Sequence, residues 1–128
     1  MLVNDFASTP LTTTQIVIQR EGNGRIPKKG DYITIHYRSR VDGQLHDFDD
    51  TWLIKKPYTF KVGERKVIDG WDIAFLSGHL REGTKAELYI PFSEAYYEKG
   101  APPYVPARTN LKYQIEVLQV SDHRCVIL

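Results

Sequence analysis

Alternation of apolar and polar residues is the feature that most limits how this chain can fold. Residues 111–117, LKYQIEV, alternate without a break, and residues 32–41, YITIHYRSRV, are rich in β-branched and aromatic residues. Both patterns are typical of strands with a buried face. Further segments with strand character are residues 15–20, 44–48, 58–62 and 84–92. The sequence therefore predicts an antiparallel sheet.

One segment changes to a helical period. Trp71, Phe75 and His79 are spaced at i, i+4 and i+8, which places them on one face of a helix. We expect a short helix over residues 69–79, with Gly78 weakening its end. Strands combined with one helix indicate an α+β domain whose sheet buries one face against the helix.

Length and charge limit the organisation and the partners of the chain. With 128 residues we expect one compact domain at residues 15–121, between an N-terminal arm (residues 1–14) and a C-terminal tail (residues 122–128). There are 17 Lys and Arg against 16 Asp and Glu, a net charge of +1, which argues against a nucleic-acid binder. The glycines at residues 22–30 do not have the spacing of a phosphate-binding loop.

Cysteine and histidine are too sparse to suggest a metal site. Cys125 is the single cysteine, and none of the four histidines are paired at the i, i+4 spacing of a helical zinc site. We therefore expect no metal, no cofactor and no disulfide within the chain. The first residues lack the features of a signal peptide, and no run approaches about 18 apolar residues. A cytoplasmic location is the expectation.

The segment KVIDGW, residues 66–71, places a tryptophan directly after an Asp-Gly step. Such a step is typical of a chain that bends before it starts a helix. The tryptophan has two interpretations, as a residue that fills the core or as the floor of a pocket.

Several segments occur in an order that resembles the FKBP family of peptidyl-prolyl isomerases. They are EGNGRIPKKGDYITIHY, the turn VDG, the pair Phe48-Asp49, KPYTFKVGERKVIDGW, IPFSEAYYEKG and YVPARTNLKYQIEVLQV, which together span roughly residues 16–120. The resemblance implies a strongly twisted antiparallel sheet of about five strands wrapped around one short helix. It also implies a monomeric enzyme that accelerates rotation about X-Pro bonds in proline-containing peptides or proteins and binds macrolides of the rapamycin class.

Carried over position by position, the resemblance implies one apolar pocket. Trp71 would be its floor, and the Ile68 N–H and the Tyr96 hydroxyl would donate to ligand carbonyls. The remaining implied site residues are Asp49 as the charged acceptor, Tyr37, Phe48, Tyr58 and Tyr113 as aromatic walls, Val67 and Ala95 beside the two donors, and Tyr104 and Val105 above the opening. Tyr37, Asp49, Ile68 and Tyr96 would form the catalytic set.

The chain departs from the family pattern between the Asp42-Gly43 turn and Pro57. Counting forward from the turn gives His46-Asp47 the Phe-Asp role, whereas counting back from Pro57 gives Phe48-Asp49, which supplies the aromatic. Ile54 stands where the family often has a basic residue, and Tyr97 stands where it often has Gly. These departures leave an alternative open, an FKBP-fold binding or scaffold module with weak or no isomerase activity.

The C-terminal residues Cys125-Val126-Ile127-Leu128 have the form of a prenylation motif. A terminal Leu indicates a geranylgeranyl chain, which would bring the protein to a membrane. A four-residue match also arises by chance, and His123 and Arg124 give little of the basic charge that stable anchoring needs. Mass spectrometry of the protein from its native host would detect the lipid on Cys125.

Overall fold

The computed structural model describes residues 11–97 and 99–123. The described elements are β1 (Gln15–Arg20), β2 (Tyr32–Val41), β3 (Asp49–Asp50), β4 (Tyr58–Lys61), α1 (Asp69–Phe75), β5 (Lys85–Ile90), a short 3-10 helix (Phe92–Glu94) and β6 (Leu111–Ser121). Six strands and one α-helix confirm the predicted α+β class.

All strand pairs are antiparallel and belong to one sheet, in the order β1-β5-β6-β2-β3. β4 also pairs with β2, along Tyr32–Ile35, whereas β3 pairs with Arg38 and Ser39 of the same strand. β3 and β4 therefore share one edge of β2, and the sheet is five strands wide as expected.

The core lies between this sheet and α1. Trp71, Ala74 and Phe75 face the sheet and are 4%, 0% and 0% exposed. Their i, i+3 and i+4 spacing forms the apolar stripe expected of a helix that packs on a sheet. A Cβ on Gly70 would lie 2.5 Å from Cγ2 of Ile90, so the first turn of α1 approaches β5 closely because Gly has no side chain.

The helix is shorter than the predicted residues 69–79. It ends at Phe75, and the Ser77 hydroxyl donates to the Ala74 carbonyl at 2.6 Å. Gly78 then adopts φ +89, a left-handed conformation in which the helix does not continue. His79 is exposed and takes no part in the core.

The predicted return strand at residues 44–48 does not form. Leu45 is 82% exposed, so its side chain has no core to face. The chain rejoins β2 later, where the Phe48 N–H donates to the Ser39 carbonyl at 2.8 Å and β3 follows.

The end of the predicted N-terminal arm is bonded to the rest of the chain. Both the N–H and the hydroxyl of Thr14 donate to Oε1 of Glu94, at 2.8 and 2.7 Å. The described residues contain no cluster of His, Cys, Asp or Glu suited to a metal ion. They also contain no helix that is long and apolar enough to cross a membrane. Cys125 lies outside the described residues, so its lipidation stays a prediction.

Candidate active site

A cleft of about 420 Å³ opens where β2, β4, β6 and the start of α1 meet. Aromatic side chains predominate in its wall, with few charged groups. The lining residues are Tyr37, Ser39, Phe48, Asp49, Tyr58, Arg65, Lys66, Val67, Ile68, Trp71, Tyr96 and Tyr113. Nine of the twelve predicted pocket residues therefore lie together in one cleft, since Ala95, Tyr104 and Val105 are absent from that set.

Trp71 lines the cleft and is also part of the core. Its ring is 5.1 Å from that of Tyr37, 5.3 Å from that of Tyr113 and 5.9 Å from that of Tyr58, each pair close to edge-to-face. The Trp71 Nε1 is buried and has no hydrogen-bond partner within the described residues. Trp71 therefore packs in the core and also lines the cleft, and its role as the floor of a pocket stays a prediction.

Ile68 caps the start of α1 in an extended conformation, with φ −60 and ψ 149. Its carbonyl accepts the N–H of Trp71 at 3.0 Å, which places the two residues one turn apart. Across residues 11–97 and 99–123, the Ile68 N–H has no acceptor within the protein. The bend in KVIDGW thus leaves the Ile68 N–H as a backbone donor at the wall of the cleft.

Tyr37 and Asp49 form one polar pair in the cleft. The Tyr37 hydroxyl donates to Oδ2 of Asp49 at 2.6 Å, and Asp49 itself is exposed. Partial burial of the Tyr37 ring, followed by this hydrogen bond and the negative charge of Asp49, raises the pKa of Tyr37. The bond fixes the orientation of the single carboxylate in the lining. None of the ion pairs among the described residues involves Asp49, and Ile54, the residue at the basic position of the family pattern, is 63% exposed.

Tyr96 and Tyr113 complete the tyrosine wall. Burial raises the pKa of Tyr113 well above its ordinary value, and the neighbouring Tyr96 and Tyr37 add to that rise. Burial is also the main cause of the raised pKa of Tyr96, followed by the charge of Asp49. In the described part of the chain, the Tyr96 hydroxyl has no hydrogen-bond partner. Neutral Tyr96 therefore keeps a free donor beside the cleft.

The three remaining predicted site residues lie outside the lining. Val105 is 1% exposed and belongs to the core cluster, so it does not overhang the opening as expected. Ala95 is also buried, at 4%. Tyr104 is 64% exposed and stacks on Phe48 of the lining, with ring centroids 6.3 Å apart.

Three lining residues were absent from the predicted set. Ser39 lies two positions after Tyr37 on β2, and the period of a strand places both on the same face. Arg65 and Lys66 directly precede Val67 and line the same wall. Strand alternation could have identified Ser39, and adjacency to KVIDGW could have identified the two cations.

Tyr97, which follows the short 3-10 helix, is hydrogen-bonded to the start of α1. Its hydroxyl donates to Oδ2 of Asp69 at 2.6 Å, and this hydrogen bond raises the pKa of Tyr97. Tyr97 has φ +58, the conformation that explains why Gly is common at this position of the pattern. Tyr97 and Asp69 directly follow Tyr96 and Ile68, so their bond joins the two segments that carry the free donors.

The sequence of the chain was compared with known families and proteins. Residues 23–118 match the family of FKBP-type peptidyl-prolyl cis-trans isomerases. The chain belongs to this family. FK506-binding protein 1 of Debaryomyces hansenii is 37% identical over 110 residues, covering 85% of this chain and 96% of that protein. FK506-binding protein 1 of Candida albicans is 38% identical over 120 residues, covering 84% and 94%.

The fold agrees with that of solved FKBP domains. The N-terminal domain of FKBP42 from Arabidopsis thaliana matches with a TM-score of 0.77 at 28% identity, covering 85% of this chain and 87% of that chain. The predicted family, fold and enzyme class, a peptidyl-prolyl cis-trans isomerase, are confirmed.

Proposed function

We propose that this FKBP-type isomerase binds the proline of its substrate on Trp71 and rotates the preceding peptide bond within the aromatic cleft. The observation that carries the proposal is the pair of free donors, the Ile68 N–H and the Tyr96 hydroxyl, at the wall of a cleft whose floor is Trp71. Two donors without partners among residues 11–97 and 99–123 can bind two carbonyls of a peptide backbone.

The reaction needs no acid or base from the protein. Rotation about a peptide bond faces a barrier of about 18–20 kcal/mol because amide resonance keeps the group planar. Resonance places charge on the carbonyl oxygen, and water stabilises this planar form. A cleft lined by Tyr37, Tyr58, Trp71 and Tyr113 withdraws that water and so favours the twisted, less polar transition state. Each 1.36 kcal/mol of difference is about tenfold in rate.

The polar residues of the cleft then orient the substrate. The Ile68 N–H and the Tyr96 hydroxyl hold the backbone on either side of the reacting bond, which lowers the entropy lost on the way to the transition state. Asp49, held by the Tyr37 hydroxyl at 2.6 Å, is the charged acceptor that faces the substrate. Phe48 and Val67 add apolar contacts at the wall, and Tyr104 stacks on Phe48.

We further propose that macrolides of the rapamycin class occupy the same cleft. The names of the relatives from Debaryomyces hansenii and Candida albicans describe them as FK506-binding proteins. A cleft of about 420 Å³ falls in the size range of small-molecule sites, about 300–1,000 Å³, and its lining is mainly aromatic with a few polar groups.

The test is the isomerisation of a short X-Pro peptide with and without rapamycin. We expect fast turnover that stoichiometric rapamycin abolishes. Tight binding of rapamycin with little turnover would instead support a binding module, and a gain of turnover in Ile54→Lys would then identify the missing cation. The absence of both turnover and rapamycin binding would contradict the proposed role of the cleft.

A further inference from the structure

Two cations lie on one wall of the cleft. The side chains of Arg65 and Lys66 line it next to Val67 and Ile68, and both are exposed. Neither forms an ion pair with any residue of the described ranges 11–97 and 99–123. Glu64, the acidic neighbour of Arg65 in the chain, pairs instead with Lys61 at 3.4 Å.

The carboxylates near these cations already have hydrogen bonds from other groups. Asp49, the one carboxylate of the lining, accepts the Tyr37 hydroxyl at 2.6 Å. Asp69 accepts the Tyr97 hydroxyl at 2.6 Å, and Asp72 accepts the N–H of Arg65 at 3.2 Å. The lining therefore carries two positive charges against one negative charge.

We infer that Arg65 and Lys66 select substrates that carry an acidic side chain directly beside the proline. The inference rests on the proposed function of the cleft. When Trp71 holds the proline ring and the Ile68 N–H holds the adjoining backbone, the neighbouring substrate residue lies against the wall formed by Arg65 and Lys66. A guanidinium binds a carboxylate through two parallel hydrogen bonds, and Lys66 adds a second positive charge.

The experiment compares peptides that differ only at the residue beside the proline. One series places Glu, Gln or Lys before the proline, and a second series places the same residues after it. Gln matches Glu in shape without its charge. Exposed ion pairs contribute little individually, so we expect kcat/KM to be about two- to five-fold higher for Glu than for Gln in one series. At about 1 M salt this ratio should approach one, because the charges are screened.

The variants assign the preference to the two side chains. In the double variant Arg65→Gln with Lys66→Gln, the ratio of kcat/KM for Glu and Gln peptides should fall to about one. In the single variant Lys66→Glu, we expect kcat/KM for the Lys peptide to rise relative to kcat/KM for the Glu peptide. The ratio is taken within each variant, so that a change in overall turnover cancels, and urea unfolding checks that each variant is folded.

Lys85→Gln is the control, because it removes one positive charge at a place away from the cleft. Lys85 begins β5, in which Ala86, Leu88 and Ile90 are buried and the alternate residues lie on the other face of the sheet. It is absent from the lining of the cleft, and the preference for Glu should persist in this variant.

Equal kcat/KM for the Glu and Gln peptides of the wild-type protein, in both series, would overturn the inference and leave the proposed function intact. A preference for Glu that survives in the double variant would overturn the assignment to Arg65 and Lys66. Failure to turn over any of the peptides would overturn the proposed function together with the inference.

Discussion

Replacing Trp71 by Leu tests whether the residue serves the cleft as well as the core. Trp71 is 4% exposed, and four aromatic rings lie at centroid distances of 5.1 to 5.9 Å, those of Tyr37, Tyr58, Phe60 and Tyr113. Truncating a buried Trp to Ala costs about 3–5 kcal/mol, and Leu refills part of the space. We expect the free energy of unfolding to fall by about 2–3 kcal/mol, which a domain with about 5–15 kcal/mol of stability survives.

The same substitution should weaken ligand binding through the lost floor. If about 60 Å² of the apolar surface of a ligand rests on the indole, about 25 cal/mol per Å² gives about 1.5 kcal/mol, or roughly tenfold in affinity. Urea unfolding measures the first effect and titration with rapamycin measures the second.

Phe75→Leu is the matched control on the same helix. Phe75 is 0% exposed, packs against Phe60 at 5.3 Å and does not line the cleft. It should lose stability as Trp71→Leu does, with the affinity for rapamycin unchanged. An equal loss of affinity in the two variants, or full affinity in Trp71→Leu, would refute the role of Trp71 as a floor.

Three further predictions concern the helix, the loop and the buried tyrosines. Gly70→Ala should lower the free energy of unfolding by about 1–3 kcal/mol in urea, because its Cβ would lie 2.5 Å from Cγ2 of Ile90. Tyr97→Phe should speed hydrogen exchange in the loop at residues 99–105, because the bond to Asp69 is lost. Tyr113 has a raised pKa in the folded protein, so its contribution to stability is complete below the unfolded pKa of about 10 and is lost as the pH rises above it; urea unfolding between pH 8 and pH 12 measures this loss.

Each of these predictions has an outcome that would contradict it. Unchanged stability in Gly70→Ala would mean that β5 shifts to make room for the added carbon at little cost in free energy. For the loop, Tyr104→Phe is the control, because the Tyr104 hydroxyl has no hydrogen-bond partner among the described residues and the ring is 64% exposed. Exchange that is equally fast in both variants would argue against the Tyr97 bond. In Tyr113→Phe, the loss of stability at alkaline pH should be smaller than in the wild type. A loss of the same size would mean that other groups cause it.

The strands that bury one face were predictable because alternation needs no knowledge of the partner strand. β2 has the predicted bounds, Tyr32–Val41. β1 also has its predicted bounds, Gln15–Arg20, although five of its six residues are exposed. β6 continues to Ser121, beyond the predicted residue 117. The reason is the register in which it pairs with β2. Ile35 pairs with Val117 and Thr34 with Gln119, so Leu118 is an extra residue at a bulge. The bulge interrupts the alternation, and the pattern alone therefore predicts that the strand ends at Val117.

The end of α1 and the absence of the predicted strand at residues 44–48 depend on contacts that the local sequence pattern does not contain. His79 fits the helical period, yet the Ser77 hydroxyl takes the Ala74 carbonyl and α1 ends at Phe75. Residues 44–48 carry strand character, yet nothing covers Leu45. Local preference was overridden in both cases by what the rest of the chain could bury or bond.

The cleft was predictable where the family resemblance names residues, and its polar parts were not. The aromatic lining follows from residues such as Tyr37 and Trp71, whose positions the motif supplies. The bond between Tyr97 and Asp69 joins residues 28 positions apart, and no local signal in the sequence points to it. The placement of Arg65 in the lining likewise depends on the turn before α1, where it has φ +57.

The most direct test of the account is the change in amide and indole NMR signals when a short X-Pro peptide is added. We expect the largest shifts at the Ile68 N–H and at the Trp71 Nε1–H, and we expect rapamycin to displace the peptide from these positions. Large shifts confined to the opposite face of the sheet, around Lys85 or Lys112, with no change at Ile68 and Trp71, would contradict the assignment of the cleft as the isomerase site.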